Sequence, residues 1–265
     1  MSNPHYCQYA FAQPDCRVRE IGPGVDARFN VELIGEGPVA AVVSRVGLDQ
    51  FDPDRLQGKT AEDIRWLGKI AARHNEIICQ AASSSAVLPL RLGTLFCSQD
   101  SLRAALLRWR DVVAAFLRQL GDRQEWGAKL YLEKLRFEEM TAHAGPPAPC
   151  YLAAARMGTD YLTRKKVELE SRRELRVALH QTIQAVQQRL SVKAEHCRRI
   201  RTLPGELTGR AAEMVFNAAF LVPSSAQNSW LETIRRVRED VCGKGLLLEV
   251  SGPWPPYHFC PSLEP

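Results

Sequence analysis

An α+β protein of two domains is predicted by three features of the sequence. Segments of strand-like alternation and segments of helical spacing occur in both halves. A glycine-aspartate break at Gly121-Asp122 separates them. The second half follows the order β-α-β-β-α-β, the ferredoxin-like plan of a sheet with two helices on one face. The expected organisation is a small N-terminal α+β domain over 1–121, a ferredoxin-like C-terminal domain over 122–251 and a Pro/aromatic tail over 252–265. The chain of 265 residues is long enough for two cores.

In the first half, Tyr6 to Phe11, Val31 to Ile34 and Val39 to Val46 read as strands. Gly22-Pro23-Gly24 and Gly35-Glu36-Gly37-Pro38 supply the turns. Thr60 is placed to cap a helix whose first turn carries Glu62 and Asp63. Ile64, Leu67, Ile70, Ala71, His74, Ile77 and Ile78 then repeat at helical spacing, and the small residues from Ala81 to Ser85 end the run. Val87 to Leu92 reads as a strand, and Pro89 assigns it to an edge or a bulge. A second helix is expected after the cap candidate Ser98, with Leu102, Leu106, Trp109, Val113, Phe116 and Leu120 on one stripe and Gly121 closing it.

In the second half, Trp126, Ala128, Leu130 and Leu132 alternate as a strand does. The run Ala144 to Pro149 is loop, because its prolines cannot sit inside a helix. A long helix is expected from about Tyr151 to Leu190, a short strand within Ser191 to Arg201, and a turn at Leu203-Pro204-Gly205. Alternation from Met214 to Val222 marks the next strand. The stripe Trp230, Ile234, Val237 and Val241 marks the last helix, and Leu246, Leu248 and Val250 the last strand.

Composition narrows the function classes. Hydrophobic residues make up 45% and charged residues 25%, the usage of a folded globular chain. No apolar run reaches the roughly 18 to 20 residues of a membrane span. The N-terminus has neither a basic nor an apolar region of a signal peptide, so a cytosolic protein is expected. Lys and Arg outnumber Asp and Glu by 35 to 30, a mild excess for a nucleic-acid binder. Eight cysteines are dispersed without paired spacing, which predicts buried free thiols and no metal site.

No nucleophile elbow, zinc-protease motif or phosphate-binding glycine loop is present, so no catalytic residue and no cofactor is expected. His74 lies on an apolar stripe, where its ring N–H either bonds across the core or serves a ligand or partner. Arg91 interrupts an apolar run and either turns to solvent or pairs with a buried carboxylate. The basic groups Arg164-Lys165-Lys166 and Arg172-Arg173 alternate with glutamates as helix-surface ion pairs do. A nucleic-acid-binding module on a ferredoxin-like scaffold is the competing function, although the strands lack the stacking aromatics of an RNA-binding sheet. The segment from Gly252 to Phe259 is stiffened by Pro253, Pro255 and Pro256 and is not expected to extend a sheet. Its aromatics either pack back on the protein or bind a partner.

Several stretches, in order along nearly the whole chain, resemble the gas vesicle protein GvpL/GvpF family. They are Val42-Val43-Ser44-Arg45-Val46, His74-Asn75, Leu88 to Phe96, Glu125 to Lys129, Tyr151-Leu152 and Gly252 to Tyr257. Leu92 and Ala128 depart from the family's more usual phenylalanine and valine. The resemblance implies a cytosolic accessory or minor structural protein of gas vesicle assembly, with a ferredoxin-like C-terminal half and no catalytic residues. The implied partners are the small, very hydrophobic shell protein GvpA and other accessory proteins, with neither nucleic acid nor membrane among them. Arg45, His74, Asn75, Arg91, Trp126, Trp254 and Tyr257 are the candidate partner-binding or interface residues.

Overall fold

The computed structural model describes residues 5–49, 51, 60–144 and 157–263. It forms two compact units. One comprises residues 1–125 together with 253–265, the other residues 126–252.

The first unit is built on strands β1 (His5–Ala12), β2 (Glu32–Glu36), β3 (Val39–Val46), β4 (Val87–Pro89) and β5 (Leu95–Phe96). The sheet order is β2-β3-β1-β4, with β5 also on β1. β1 runs antiparallel to β3, and the register shifts between Gln8 and Ala10. That bulge changes which face successive side chains occupy. Cys7, Tyr9, Ala10 and Ala12 join one buried cluster, and Tyr6 and Phe11 join the other. Helix α1 (Ala61–Ala82) packs Ile77, Ile78 and Ala81 into the first cluster. Helix α2 (Gln99–Leu120) packs Leu102, Leu106, Val113 and Leu117 into the second. The sheet thus lies between two helices, and its strands read as near-continuous apolar runs because both faces are covered.

Both helix starts follow their local chemistry. Thr60 Oγ1 accepts from the backbone N–H of Asp63 and the Asp63 carboxylate accepts in return, while Ser98 and Ser101 form the same reciprocal cap on α2. β4 is shorter than the strand expected over Val87 to Leu92, because Leu90 onward turns away. It occupies the edge position that Pro89 requires. β5 has only two residues, too few for alternation to reveal.

The second unit contains β6 (Gln124–Leu132, which begins in the first unit), α3 (Lys134–Ala144), α4 (Met157–Ser191), β7 (His196–Arg199), the single-turn α5 (Gly205–Thr208), β8 (Glu213–Val222), α6 (Gln227–Cys242) and β9 (Leu246–Trp254, whose last two residues belong to the first unit). The sheet order is β7-β8-β6-β9, with β7 antiparallel to β8. Trp126, Ala128, Leu130, Phe216, Ala218 and Phe220 point into one core, where α4 contributes Ile183, Val186 and Leu190. α6 adds Trp230, Ile234, Val237 and Val241 to it. Trp230 is fully buried, donates its indole N–H to Leu190 O at 2.9 Å, and meets the rings of Trp126 and Phe220.

α3 carries no helical signal in the sequence, because only Phe137 of its described side chains is buried and no apolar stripe develops. Two expectations are corrected. Gly252-Pro253-Trp254 does extend the sheet, as the end of β9. β9 is an outer strand, where a proline without an N–H is tolerated. Cys97, which precedes the cap of α2, and Cys242, the last residue of α6, are exposed rather than buried, whereas Cys7 and Cys16 are buried. Cys150, the expected loop at 145–149 and the start of the expected long helix at 151–156 lie outside the described residues. Among the described residues no helix is long and apolar enough to cross a membrane.

Candidate functional site

A groove of about 890 Å³ opens in the first unit beside the β4 edge. Its walls come from α1, α2, the turn after β4 and the C-terminal segment. Leu88, Leu90, Leu92, Phe96 and Trp109 supply apolar surface, and His74, Asn75, Arg91 and Tyr257 supply polar groups.

The turn after β4 explains the Leu88 to Phe96 stretch. Leu90 N–H donates to Tyr9 O at 2.9 Å, carrying the β1 pairing one residue past Pro89. Thr94 N–H then donates to Arg91 O at 3.3 Å, and Thr94 Oγ1 donates to the same carbonyl at 2.8 Å. Gly93, third in this turn, has φ +89°, which the turn geometry demands and glycine supplies without strain. The chain returns to β1 where Gln8 N–H donates to Thr94 O at 2.9 Å. Arg91, first in the turn, is exposed. Of the two outcomes open to it, the structure shows the turn to solvent.

His74 and Asn75 hold the two sides of the groove. The Nε2–H of His74 donates to Leu90 O at 3.1 Å, so Nδ1 carries the lone pair. The imidazole is 5.2 Å from the Tyr9 ring, and burial lowers its pKa while the Leu90 bond opposes that shift. The buried atoms His74 Nδ1 and Gln8 Oε1 have no hydrogen-bond partner. Asn75 Oδ1 accepts from the Tyr257 hydroxyl at 2.6 Å. Burial, with Cys79 and Glu125 nearby, raises the Tyr257 pKa above its ordinary value.

The C-terminal segment is fastened by a second pair that the sequence did not single out. Glu125 is buried, and its carboxylate accepts from His258 N–H at 2.8 Å and from His258 Nδ1–H at 2.6 Å. Pro255 and Pro256 are buried, and Phe259 N–H closes a turn onto Pro256 O at 3.0 Å. Cys260 lines the groove. Burial, and then Glu125, pushes its thiol up to about 12, which favours the protonated form at neutral pH. Glu125 adjoins Trp126 in a quoted stretch, but a single acidic residue at a strand start carries no signal of burial.

The seven candidates separate by place. His74, Asn75, Arg91 and Tyr257 line the groove. Arg45 stands exposed on β3, 3.7 Å from Glu32 on the neighbouring strand. Trp126 is buried in the second unit's core. Trp254 is exposed at the end of β9. Of the basic groups, Arg172 pairs with Glu168 at 2.5 Å one helical turn away. Among the described residues no cluster of three metal-ligating side chains occurs.

Comparison with known proteins gives a consistent result. The family described as gas vesicle synthesis protein GvpL/GvpF matches residues 6–261. Gas vesicle protein L of Streptomyces sp. (strain CB03234) is 30% identical over 240 residues, covering 88% of this chain and 84% of that protein. Gas vesicle protein F of the same strain is 24% identical over 231 residues, covering 86% and 87%. The crystal structure of GvpF from Anabaena sp. PCC7120 has the same fold, with a TM-score of 0.66 at 17% identity and 98% of each chain covered. GvpF from Microcystis aeruginosa gives 0.64 at 14% identity, covering 97% of this chain and 98% of that one. The chain belongs to the gas vesicle synthesis protein GvpL/GvpF family.

Proposed function

We propose that this protein acts in gas vesicle assembly by binding the hydrophobic shell protein, GvpA, together with other accessory proteins, without a catalytic step. The observation that carries this reading is the family match over residues 6–261. A shell subunit exposes apolar surface and strand edges before it joins a growing wall, and such surfaces aggregate when unprotected. A binder that covers them until nucleation keeps the subunit available. The groove beside β4 supports this role, because it offers apolar surface between two helices. The strand order β7-β8-β6-β9 supports a ferredoxin-like plan for the second unit. The protein works in the cytoplasm and at the vesicle.

Co-expression with the shell protein tests the proposal. The expected result is a larger soluble fraction of shell protein and its capture on this chain. Unchanged shell-protein solubility with no captured complex would falsify it.

A further inference from the structure

We infer that the groove beside β4 takes an apolar peptide segment carrying one carboxylate, with Arg91 as the group that selects the charge. Three observations converge on this occupant. The walls are mainly apolar, with Leu90 and Leu92 from the segment after β4, Phe96 from β5 and Trp109 from α2 facing one space. No aspartate or glutamate lines the groove among the described residues. The cation Arg91 is held at its edge by the turn from Arg91 to Thr94, and none of the ion pairs among the described residues involves it.

Among the described lining residues the charge is therefore positive, and Glu125, which acts on Tyr257 and Cys260 from outside the lining, is bonded to His258. His74 does not add to the positive charge at neutral pH, because burial favours its neutral form. A neutral apolar segment leaves Arg91 at the rim of a contact that excludes water. A cationic segment adds like-charge repulsion there. A carboxylate offers the guanidinium a paired, charge-assisted hydrogen bond. Arg91 is exposed before binding, so the gain is that of a rim pair and expresses itself as selectivity more than as total affinity. The apolar side chains of the segment supply the rest, by leaving water against Leu92, Phe96 and Trp109.

This inference deepens the assembly reading and rests on it for which protein supplies the segment. The groove chemistry can be tested without that protein. The probes are fluorescein-labelled leucine- and alanine-rich peptides that differ at one position, Glu, Gln or Lys, and a serine-rich peptide that keeps the Glu. Anisotropy titrations use the full chain and its Arg91→Gln and Arg91→Glu variants. Thermal unfolding checks that both variants remain folded, as expected for an exposed side chain.

The wild type is expected to bind the Glu peptide about three- to tenfold more tightly than the Gln peptide, with the difference shrinking in high salt. Arg91→Gln abolishes the preference, and Arg91→Glu transfers it to the Lys peptide. The serine-rich peptide does not bind. Equal affinity for the Glu, Gln and Lys peptides, unchanged preference in Arg91→Glu, or tight binding of the serine-rich peptide overturns the inference. If Arg91→Glu reverses the peptide preference but no shell protein is captured in co-expression, the groove assignment stands and the assembly reading falls. If wild type and Arg91→Glu capture the shell protein equally and no peptide discriminates, the groove assignment falls and the assembly reading stands.

Discussion

The hydroxyl of Tyr257 donates to Oδ1 of Asn75 at 2.6 Å, joining residues 182 positions apart. This bond ties the C-terminal segment to α1 at the rim of the groove. Tyr257→Phe removes the donor and keeps the ring, so the expected cost is about 1 kcal/mol of stability. Asn75→Ala removes the acceptor at a similar cost. Each single variant already breaks the bond, so the double variant loses less than the sum. Denaturant unfolding of the four proteins measures the coupling, and strict additivity would show that the bond contributes nothing.

Glu125→Gln is expected to destabilise the first unit by about 1 to 3 kcal/mol. The carboxylate is buried and accepts from both the backbone and the ring of His258. Glutamine keeps one acceptor but sets an NH2 group against a donor. The midpoint of denaturant unfolding should fall with little change in slope. Amide exchange at His258 should quicken in the same variant, and an exchange rate equal to wild type would contradict the assigned bond.

Local chemistry made much of this fold legible. The caps Thr60 and Ser98 depend on residues three positions away, so they could be read directly. In β6 and β8 alternate residues enter one core cluster, so period two could be read there although β8 is buried on both faces from Phe216 to Val222, and the buried stripe of α6 repeats at helical spacing. What stayed hidden is non-local. His74 and Asn75 are adjacent, yet one bonds Leu90 and the other Tyr257. Nothing near Glu125 in sequence announces His258. The groove arises where the His74–Leu90 and Asn75–Tyr257 pairs meet, and only its parts could be named beforehand. The unexpected ending of β9 follows the same rule, since Pro253 bars a central strand but an edge position is a property of the whole sheet.

Gly245→Ala is expected to cost more than about 2 kcal/mol, because two penalties coincide there. Gly245 has φ +71°, where an alanine side chain is strained. A Cβ at this position would also stand 2.6 Å from Phe137 N and 2.9 Å from Arg136 C, both backbone atoms of α3. Gly245 O meanwhile accepts from Glu133 N–H at 3.0 Å, so moving away breaks a bond just before α3 begins. Thermal unfolding of the variant gives the cost, and an unchanged midpoint would show that α3 can shift freely.

Acid should weaken the first unit through His74. The ring is buried and its pKa lies below the ordinary value, with burial the larger cause and the Leu90 bond acting against it. Between that lowered value and the unfolded value of about 6.5, the unfolded chain binds more protons than the folded one. Stability therefore rises with pH across this interval. The contribution of the neutral ring is fully present above about pH 6.5 and is lost as pH falls through the folded pKa. His74→Leu removes this dependence together with the hydrogen bond to Leu90. The variant should be less stable than wild type at pH 8, by about 1 kcal/mol or more for the lost bond. The gap should narrow as pH drops below about 6.5, because only the wild type must keep an imidazole uncharged. Urea unfolding of both proteins across this range supplies the measurement. A gap that stays constant or widens on acidification would mean that His74 is protonated in the folded protein without cost.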